Sequence, residues 1–281
     1  MKKVCVIANA GKDAAVEMTE RVRSFFEKKG VSCTALLDDF SEQTSYEAVL
    51  TDDMECAVVL GGDGTLIHVA GRLAEQKIPV LGINLGTLGF LAGAESAETE
   101  KVLEALIHGE YRVEERMMLE TSVEGTVFGT ALNDVVITRN GFSRIISVSI
   151  LVNGKPVCNY RGDGVIVATP TGSTGYNLSA GGPVVAPTTE LFLITPICPH
   201  SLSARSILLS GEDELHLVVR EEKKTQDEEA IITLDGQRAK ELSADDTIVI
   251  RRSDKKAYFI QLNDRSFFDA LHRKLETQEI I

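Results

Sequence analysis

The sequence predicts two domains, an α/β domain followed by an all-β domain, with a C-terminal helix that returns to the first domain. Three observations support this fold class. Residues 1–112 alternate between short apolar segments and longer segments with helical spacing, residues 113–252 consist of short β-branched segments separated by turn residues, and residues 253–281 resume with a strand and a helix. We therefore expect residues 1–112 and 253–281 to form the α/β domain, and residues 113–252 the all-β domain.

Four short apolar segments in the first domain predict β-strands: KKVCVIAN, VSCTALL, CAVVLGG and IPVLGINLG. The segments around them have the apolar spacing of helices: DAAVEMTERVRSFFEKKG, TLIHVAGRLAEQ and ESAETEKVLEALIHG. The first of these ends in Lys-Lys-Gly, a common signal for the end of a helix. Strands that alternate with helices usually form a parallel sheet covered on both faces, and we expect one here.

The second domain reads as a series of short strands. These are LETSVEG, TVFGTALNDVVITR, RIISVSILVNGKPVCNYRGDGVIVATP, LFLITPI, SILLS, ELHLVV, AIITLDG and DTIVIRRS. An Asn-Gly pair inside VNGK indicates a tight hairpin turn. Strands of this length and composition predict a sandwich or a partly closed sheet.

The C-terminal segment AYFIQLNDRSFFDALHRKLE predicts a strand and then a helix. Phe267, Phe268, Leu271 and Leu275 share one face of that helix. An apolar face needs a partner, and the strand–helix pattern of the first domain resumes only here. We therefore expect the helix to pack on the first domain.

Composition argues against several classes of protein. The 281 residues are 43% hydrophobic and 25% charged, as in ordinary soluble proteins, and the net charge of −13 argues against a nucleic-acid-binding role. No stretch approaches the roughly 18 apolar residues that a membrane span needs. The five cysteines are scattered and form no C-x-x-C pair, which favours a reduced, cytoplasmic location.

The segment VVLGGDGTLIHVAG (58–71) places Asp63 in a glycine loop between a strand and a helix. Glycines leave backbone N–H groups accessible, and the helix N-terminus favours an anion, so the loop suits a phosphate. It lacks the Gly-Lys-Ser/Thr ending of the Walker loop. The alternative is a purely structural turn in which Asp63 is the N-cap of the helix.

A second cluster, YRGDGVIVATPTGSTGYNLSAGGPVV (160–185), combines glycines with seven small polar or hydroxyl side chains between positions 169 and 179. Such side chains can donate to ribose and phosphate oxygens, although a structural loop would have a similar composition. Two weaker signals are Asn133 and Asp134 at a strand start, where they could simply form a turn, and INLGTLGFL (83–91), either a ligand loop or an ordinary connection. The five histidines show no spacing typical of a metal site.

Five motifs together resemble the NAD kinase family. They are GGDGT (61–65), NLGTLGFL (84–91), ALND (131–134), GDGVIVATPTGSTGYNLSAGGP (162–183) and LDGQ (234–237), in the order that the family has them. The TPTGST-x-Y segment is highly specific, whereas GGDGT also occurs in diacylglycerol, sphingosine and phosphofructo-type kinases. Gly175 departs from the alanine that is usual in the family.

The resemblance implies an enzyme that phosphorylates the adenosine 2′-hydroxyl of NAD with ATP, giving NADP. It also implies a divalent metal, most simply Mg²⁺, a Rossmann-like first domain, a β-sandwich second domain and a homodimer or homotetramer. No nucleic acid or membrane partner is implied.

The resemblance also assigns residues. Asp63 matches the catalytic base or a metal-associated carboxylate, and Gly64 lies beside the ligand. The other matched positions would bind the dinucleotide: Asn133, Asp134, Arg144, Arg161, Asp163, Thr174, Gly175, Tyr176, Asn177, Leu178, Ser179 and Gln237. Residues 174–179 would wrap around it, and Gln237 would lie near the reacting ribose.

Two alternative functions fit parts of the sequence. A lipid or other small-molecule kinase could carry the same glycine-aspartate loop, but the hydroxyl-rich residues 169–179 are unsuited to an apolar headgroup tunnel. A non-catalytic dinucleotide sensor would not need the carboxylate of Asp63. Formation of NADP from NAD, ATP and Mg²⁺ would distinguish the three.

Overall fold

The computed structural model describes residues 1–39, 46, 50–51, 53–86, 89–140, 145–220, 230–262 and 266–276. The chain divides into two compact units. Unit 1 comprises Met1–Glu115 and Ala257–Ile281, and unit 2 comprises Arg116–Lys256. The predicted fold class, an α/β domain and a β-sandwich domain, is confirmed by the strands and helices of the two units.

Unit 1 alternates strands and helices in the order that the apolar spacing predicts. Its elements are β1 (Lys3–Asn9), α1 (Asp13–Lys28), β2 (Ser32–Asp38), β3 (Cys56–Leu60), α2 (Asp63–Leu73), β4 (Val80–Asn84), β5 (Ala94–Glu95), a 3₁₀ turn (Ser96–Glu98), α3 (Thr99–His108), the start of β6 (Tyr111–Val123), the end of β17 (Thr247–Leu262) and α5 (Phe267–Glu276).

The sheet of unit 1 is parallel and has the order β2-β1-β3-β4, with β17 pairing beside β4 through Phe259 and Val80. β1, β3 and β4 are apolar along almost their whole length, and their central residues are buried on both faces. The carboxyl ends of these strands therefore meet at one edge, where ligands usually bind in such folds.

Unit 2 consists almost entirely of antiparallel strands. Its elements are the rest of β6 and β17 with β7 (Thr126–Ala131), β8 (Asp134–Arg139), β9 (Ile146–Val152), β10 (Lys155–Gly162), β11 (Gly164–Ala168), a 3₁₀ turn (Thr171–Thr174), α4 (Tyr176–Ser179), β12 (Leu191–Ile197), β13 (Ile207–Ser210), β14 (Leu215–Arg220), β15 (Ala230–Leu234) and β16 (Arg238–Leu242).

Two sheets of unit 2 face each other across one core. The first has the order β10-β9-β14-β17, with β6 pairing both β17 and β7, and the second has the order β13-β12-β11-β8-β15-β16. Buried side chains from both sheets form a single apolar cluster that includes Ile150, Phe192, Leu217 and Ile232. This arrangement is the predicted β-sandwich.

The C-terminal helix α5 contacts other residues of unit 1. The Phe267 ring lies 6.5 Å from the Phe90 ring, Lys274 Nζ lies 4.7 Å from the centre of the Phe90 ring, and Arg273 lies 3.6 Å from Glu95. One part of the expectation is wrong: Phe268 is 58% exposed, because α5 turns Phe267 rather than Phe268 toward the Phe90 ring. No helix among the described residues is long and apolar enough to span a membrane.

Candidate active site

The glycine loop between β3 and α2 places Asp63 at the carboxyl edge of the parallel sheet. β3 ends at Leu60, Gly62 precedes the helix with extended backbone, and Asp63 is the first residue of α2. The helix thus begins earlier than the apolar spacing alone suggests. Asp63 lies in its first turn, where backbone N–H groups have no partner within the helix and negative charge is favoured.

The Asp63 carboxylate is held by a different loop. It accepts hydrogen bonds from the backbone N–H of Phe90 at 2.7 Å and of Leu91 at 3.1 Å. Both hydrogen bonds that the structure describes for this carboxylate come from that loop, and the N-cap position of α2 is Gly62. Asp63 is therefore not the N-cap of its helix, and the loop after β4 is what fixes its carboxylate.

Gly89 makes this contact possible. A Cβ atom on Gly89 would overlap the carboxylate of Asp63. Each carboxylate oxygen accepts one backbone N–H, and an ionised carboxylate has about four acceptor positions, so capacity remains for another donor or a cation. The neighbouring Gly64 is exposed.

In unit 2, Asn133 and Asp134 lie at the beginning of β8, and the carboxylate of Asp235 holds their backbone. Asp235 accepts hydrogen bonds from the N–H of Leu132 at 2.8 Å, of Asn133 at 2.7 Å and of Asp134 at 3.0 Å. Asp235 lies on the turn between β15 and β16 and has a φ of 50°, and its own N–H donates to the Asp134 carbonyl. The strand start is thereby clamped from the neighbouring strand.

The two carboxyl groups differ in their surroundings. Asp134 is only 6% exposed, and burial, followed by the charge of Asp235, raises its pKa to about 7. Burial also raises the pKa of Asp235, but the three N–H donors act in the opposite direction. In the described part of the chain the Asp134 carboxyl has no hydrogen-bond partner. The proton of the pair therefore belongs on Asp134.

The segment 169–182 folds back onto the start of β8. Thr169 donates to the Leu132 carbonyl at 2.6 Å, and its N–H donates to the Asn133 carbonyl at 2.8 Å. A Cβ on Gly172 would overlap the backbone of Asn133, and one on Gly175 would lie 3.3 Å from Asn133 Nδ2 and 3.9 Å from Asp134 Oδ2. These glycines allow the two segments to lie in direct contact.

Asn177 is fully buried within this segment. Its Nδ2 donates to the carbonyls of Ser173 at 3.0 Å and Pro183 at 3.1 Å, and its Oδ1 accepts from the Thr195 hydroxyl at 2.7 Å. The amide therefore holds the segment together. These bonds use both N–H donors of the amide and one acceptor position of its oxygen. Little hydrogen-bonding capacity therefore remains for the predicted contact of this side chain with a dinucleotide.

Other members of the segment are accessible. Tyr176, Leu178 and Ser179 are exposed, while Thr174 and Gly175 are partly buried. The Asn133 Oδ1 and the Thr171 hydroxyl are buried and have no hydrogen-bond partner among the described residues. Buried polar groups without a partner are costly, and a ligand or an ordered water is a partner that such groups can take.

The remaining predicted residues lie at the ends of neighbouring strands. Asp163 follows β10 and accepts from Arg139 Nε at 2.9 Å, and the Arg161 carbonyl accepts from the His200 N–H at 2.8 Å. Gln237 is exposed on the turn that carries Asp235. Arg144 lies outside the described residues.

Three residues of this geometry were missing from the predicted site. Asp235 was part of the LDGQ motif, but only Gln237 was selected from it. Phe90 and Leu91 belong to NLGTLGFL, which the sequence left open between a ligand loop and a connection. The motifs contained all three residues. Their roles were missed because the hydrogen bonds that define them join residues 27 to 103 positions apart in the sequence.

Across the described ranges, no group of three or more His, Cys, Asp or Glu side chains could hold a metal ion. A divalent cation bound here would need most of its ligands from another molecule, such as a nucleotide phosphate.

Comparisons with known proteins agree over both units. Residues 4–111 match the ATP-NAD kinase N-terminal domain, and residues 132–262 match the ATP-NAD kinase C-terminal domain. The chain is 48% identical to an NAD kinase of Lachnoclostridium phytofermentans, covering 98% of this chain and 99% of that protein. It is 41% identical to an NAD kinase of Caldanaerobacter subterraneus subsp. tengcongensis, with the same coverage.

Two solved structures are similar in fold. A crystal structure of an NAD kinase from Archaeoglobus fulgidus in complex with ATP has a TM-score of 0.77 and 28% identity, covering 98% of both chains. The yeast NADH kinase complexed with NADH has a TM-score of 0.85 at 23% identity, covering 98% of this chain and 88% of that chain, and shares the fold. Because both family models match and full-length relatives reach 48% identity, this chain belongs to the ATP-NAD kinase family.

Proposed function

We propose that this chain phosphorylates the 2′-hydroxyl of the adenosine of NAD with ATP, and that Asp63 accepts the hydroxyl proton. The observation that carries the activity is the match of both ATP-NAD kinase domains, over residues 4–111 and 132–262. These matches leave the lipid-kinase alternative without support. A non-catalytic sensor is distinguished by the assay described below.

The local geometry of Asp63 supports its role as the base. Phosphoryl transfer needs alignment, neutralisation of charge and a group that takes the proton of the attacking hydroxyl. The two N–H donors from Phe90 and Leu91 fix the carboxylate and leave acceptor positions for the hydroxyl. A general base of this kind contributes about 10²- to 10⁴-fold to the rate.

The dinucleotide contacts are proposed to come from polar groups of unit 2. Asn133 and Asp134 lie near Gly175, the residue before Tyr176. The buried Asn133 Oδ1, which has no hydrogen-bond partner among the described residues, supports a ligand at this point. Gly64, Arg144, Arg161, Asp163, Thr174, Leu178, Ser179 and Gln237 remain predicted contacts. Asn177 is proposed to support the segment rather than to touch the ligand, because its amide is used internally.

The divalent metal is proposed to arrive with ATP as Mg·ATP. This fits the absence, among the described residues, of a side-chain group able to hold a metal alone. Magnesium is usually bound by one or two carboxylates together with substrate phosphates, so Asp63 could supply one ligand. Removing Mg²⁺ with EDTA should abolish turnover, and adding Mg²⁺ in excess should restore it.

The decisive assay combines the purified chain with NAD, ATP and Mg²⁺ and detects NADP with an NADP-specific dehydrogenase. Asp63→Asn should lower kcat by about 10²-fold or more while NAD affinity changes only a few-fold. The amide keeps the size of the side chain but cannot take up a proton as a base.

Asp13→Asn is the matched control, because Asp13 is also the first residue of a helix that follows a strand in unit 1. It should leave kcat unchanged. NADP formation by Asp63→Asn at the wild-type rate would show that the carboxylate is only structural, and no NADP from the wild type would favour the sensor.

Two further parts of the proposal concern the assembly of the protein and its location in the cell. We propose a homo-oligomer, since Leu202 is 98% exposed and the edge strand β13 exposes Leu208, and light scattering of the purified protein would test it. A cytoplasmic location is consistent with five free cysteines, and fractionation of the host cell would test it.

A further inference from the structure

The turn between β15 and β16 joins the start of β8 through one carboxylate. Strand pairing sets Val135 opposite Leu234, which brings Asp235 beside the three residues that precede Val135. All three of their N–H groups donate to Asp235, at 2.7 to 3.0 Å. A clamp of three backbone donors on one side chain fixes where the neighbouring side chains of Asn133 and Asp134 point.

We propose that Asp235 is a positioning residue for dinucleotide binding: its carboxylate fixes the backbone of residues 132–134, and its negative charge favours the neutral acid form of Asp134, which donates a hydrogen bond to an oxygen of the dinucleotide. The inference rests on the proposed function for the identity of the ligand. Asp235 touches no substrate in this scheme and acts through Asp134.

The surroundings assign the charge to Asp235 and the proton to Asp134. Three N–H donors stabilise an ionised Asp235, whereas Asp134 is 6% exposed and has no hydrogen-bond partner among the described residues. Among the described residues, the phenol of Tyr176 also interacts electrostatically with Asp134, and Asp163 and Cys198 act on the same phenol. Within the described ranges neither Asp134 nor Asp235 forms an ion pair with a cation.

A neutral Asp134 suits the ligand better than an ionised one. A protonated carboxyl can donate to a carbonyl or hydroxyl oxygen, which a carboxylate cannot. A second negative charge here would also act against the pyrophosphate of the dinucleotide. Binding of NAD should therefore weaken as Asp134 ionises.

The first experiment measures the titration of Asp134 in the free protein by ¹³C NMR of its carboxyl carbon. In the wild type the midpoint should lie near pH 7, and in Asp235→Asn it should move down by at least one pH unit, because the adjacent charge is gone. Asp213→Asn is the matched control, since Asp213 also accepts a backbone N–H in a turn of unit 2. A wild-type midpoint near pH 4, or an unchanged one in Asp235→Asn, would overturn the proposal.

The second experiment measures NAD binding by calorimetry between pH 6 and 8, without ATP. The wild-type dissociation constant should rise above pH 7, by up to about tenfold per pH unit. Asp235→Asn should bind NAD weakly, with little pH dependence. Asp134→Asn, whose amide still donates a hydrogen bond, should also show little pH dependence and should keep its affinity for NAD above pH 7. A purely structural Asp235 would weaken binding equally at every pH and keep the wild-type midpoint, which contradicts the proposal.

If Asp235→Asn does not fold, Asp134→Asn still tests the proposal, because the pH dependence of NAD binding must disappear with the acid. The proposed function and the roles of Asp134 and Asp235 can fail separately. A wild type that does not bind NAD contradicts the proposed function, whereas NAD binding with no pH dependence near 7 contradicts only the role given to Asp134 and Asp235.

Discussion

Among single residues, Asp63 and Gly89 form the most restrictive pair in unit 1. The Asp63 carboxylate occupies the space where a side chain on Gly89 would begin, and the next two N–H groups of the loop hold it. Position 89 needs a glycine because a carboxylate approaches the backbone closely there, and not because the backbone adopts a conformation that only glycine favours.

We expect Gly89→Ala to lower kcat by about 10²-fold, since the added methyl group must displace the carboxylate, and misplacement of a catalytic group by about 1 Å has that effect. The KM for NAD should change little. Steady-state kinetics would measure both quantities.

Gly93→Ala in the same loop is the control, because its Cβ would lie 3.4 Å from Leu81, an ordinary contact. It should keep the wild-type kcat. Equal activity of the two variants would mean that the position of Asp63 is unimportant for turnover.

Among the elements, α5 supports the loop that holds Asp63. The same residue, Phe90, donates its N–H to Asp63 and presents its ring to Phe267 and Lys274 of the helix. The helix therefore contributes to the position of the carboxylate through a single intermediate residue, although it makes no direct contact with Asp63 that the structure describes.

Phe267→Ala should lower kcat several-fold and leave the dissociation constant of NAD within twofold, because the loop loses its packing partner but the proposed dinucleotide contacts of unit 2 are unchanged. Stopped-flow kinetics and calorimetry would separate the two effects.

Phe268→Ala is matched to it in size and position, and its ring is 58% exposed. It should behave like the wild type. A larger loss in Phe268→Ala than in Phe267→Ala would show that the outer face of α5 matters and would refute the role of Phe90.

The elements themselves were largely predictable from sequence. Helical and alternating apolar spacing identified β1, α1, β3 and α3, because these segments bury one stripe or both faces. The start of α2 was less predictable. Asp63 joins the helix because Gly62 adopts the extended backbone of an N-cap, and no apolar residue marks that boundary.

For the whole molecule, the buried Asp134 makes stability depend on pH. Its folded pKa of about 7 lies above the value of 3.8 for an unperturbed carboxyl, so the folded protein binds the proton more tightly. The contribution of Asp134 to the free energy of unfolding is therefore most favourable below pH 4, and it is lost as the pH rises to 7.

Asp134→Asn removes this dependence. Each pKa unit corresponds to about 1.4 kcal/mol, so we expect the free energy of unfolding of the variant to exceed that of the wild type at pH 8 by up to about 4 kcal/mol. At pH 4 the two should be nearly equal. Urea unfolding at both pH values would show this, and equal differences at the two pH values would contradict it.

The candidate site was predictable as motifs but not as contacts. Family resemblance selected Asp63, Asn133 and Asp134 because their residue types and spacing are distinctive. The roles of Asp235 and Asn177 depended on hydrogen bonds set by the pairing of β8 with β15 and by the fold of residues 169–182. A linear pattern does not contain such long-range register, so the supporting role that we propose for Asn177 could not be inferred from it.

The discontinuity of unit 1 has a consequence for how the protein is made. Val80 in β4 pairs with Phe259 near the end of β17, so the edge of the parallel sheet is completed by residues synthesised after the whole of Arg116–Lys256. Translation at about 5–20 residues per second separates these events by several seconds or more. We expect a nascent chain that has released only its first 115 residues to expose the open edge beside β4 to chaperones. The loop holding Asp63 would gain its α5 support only when the ribosome has nearly finished, so kinase activity should appear last.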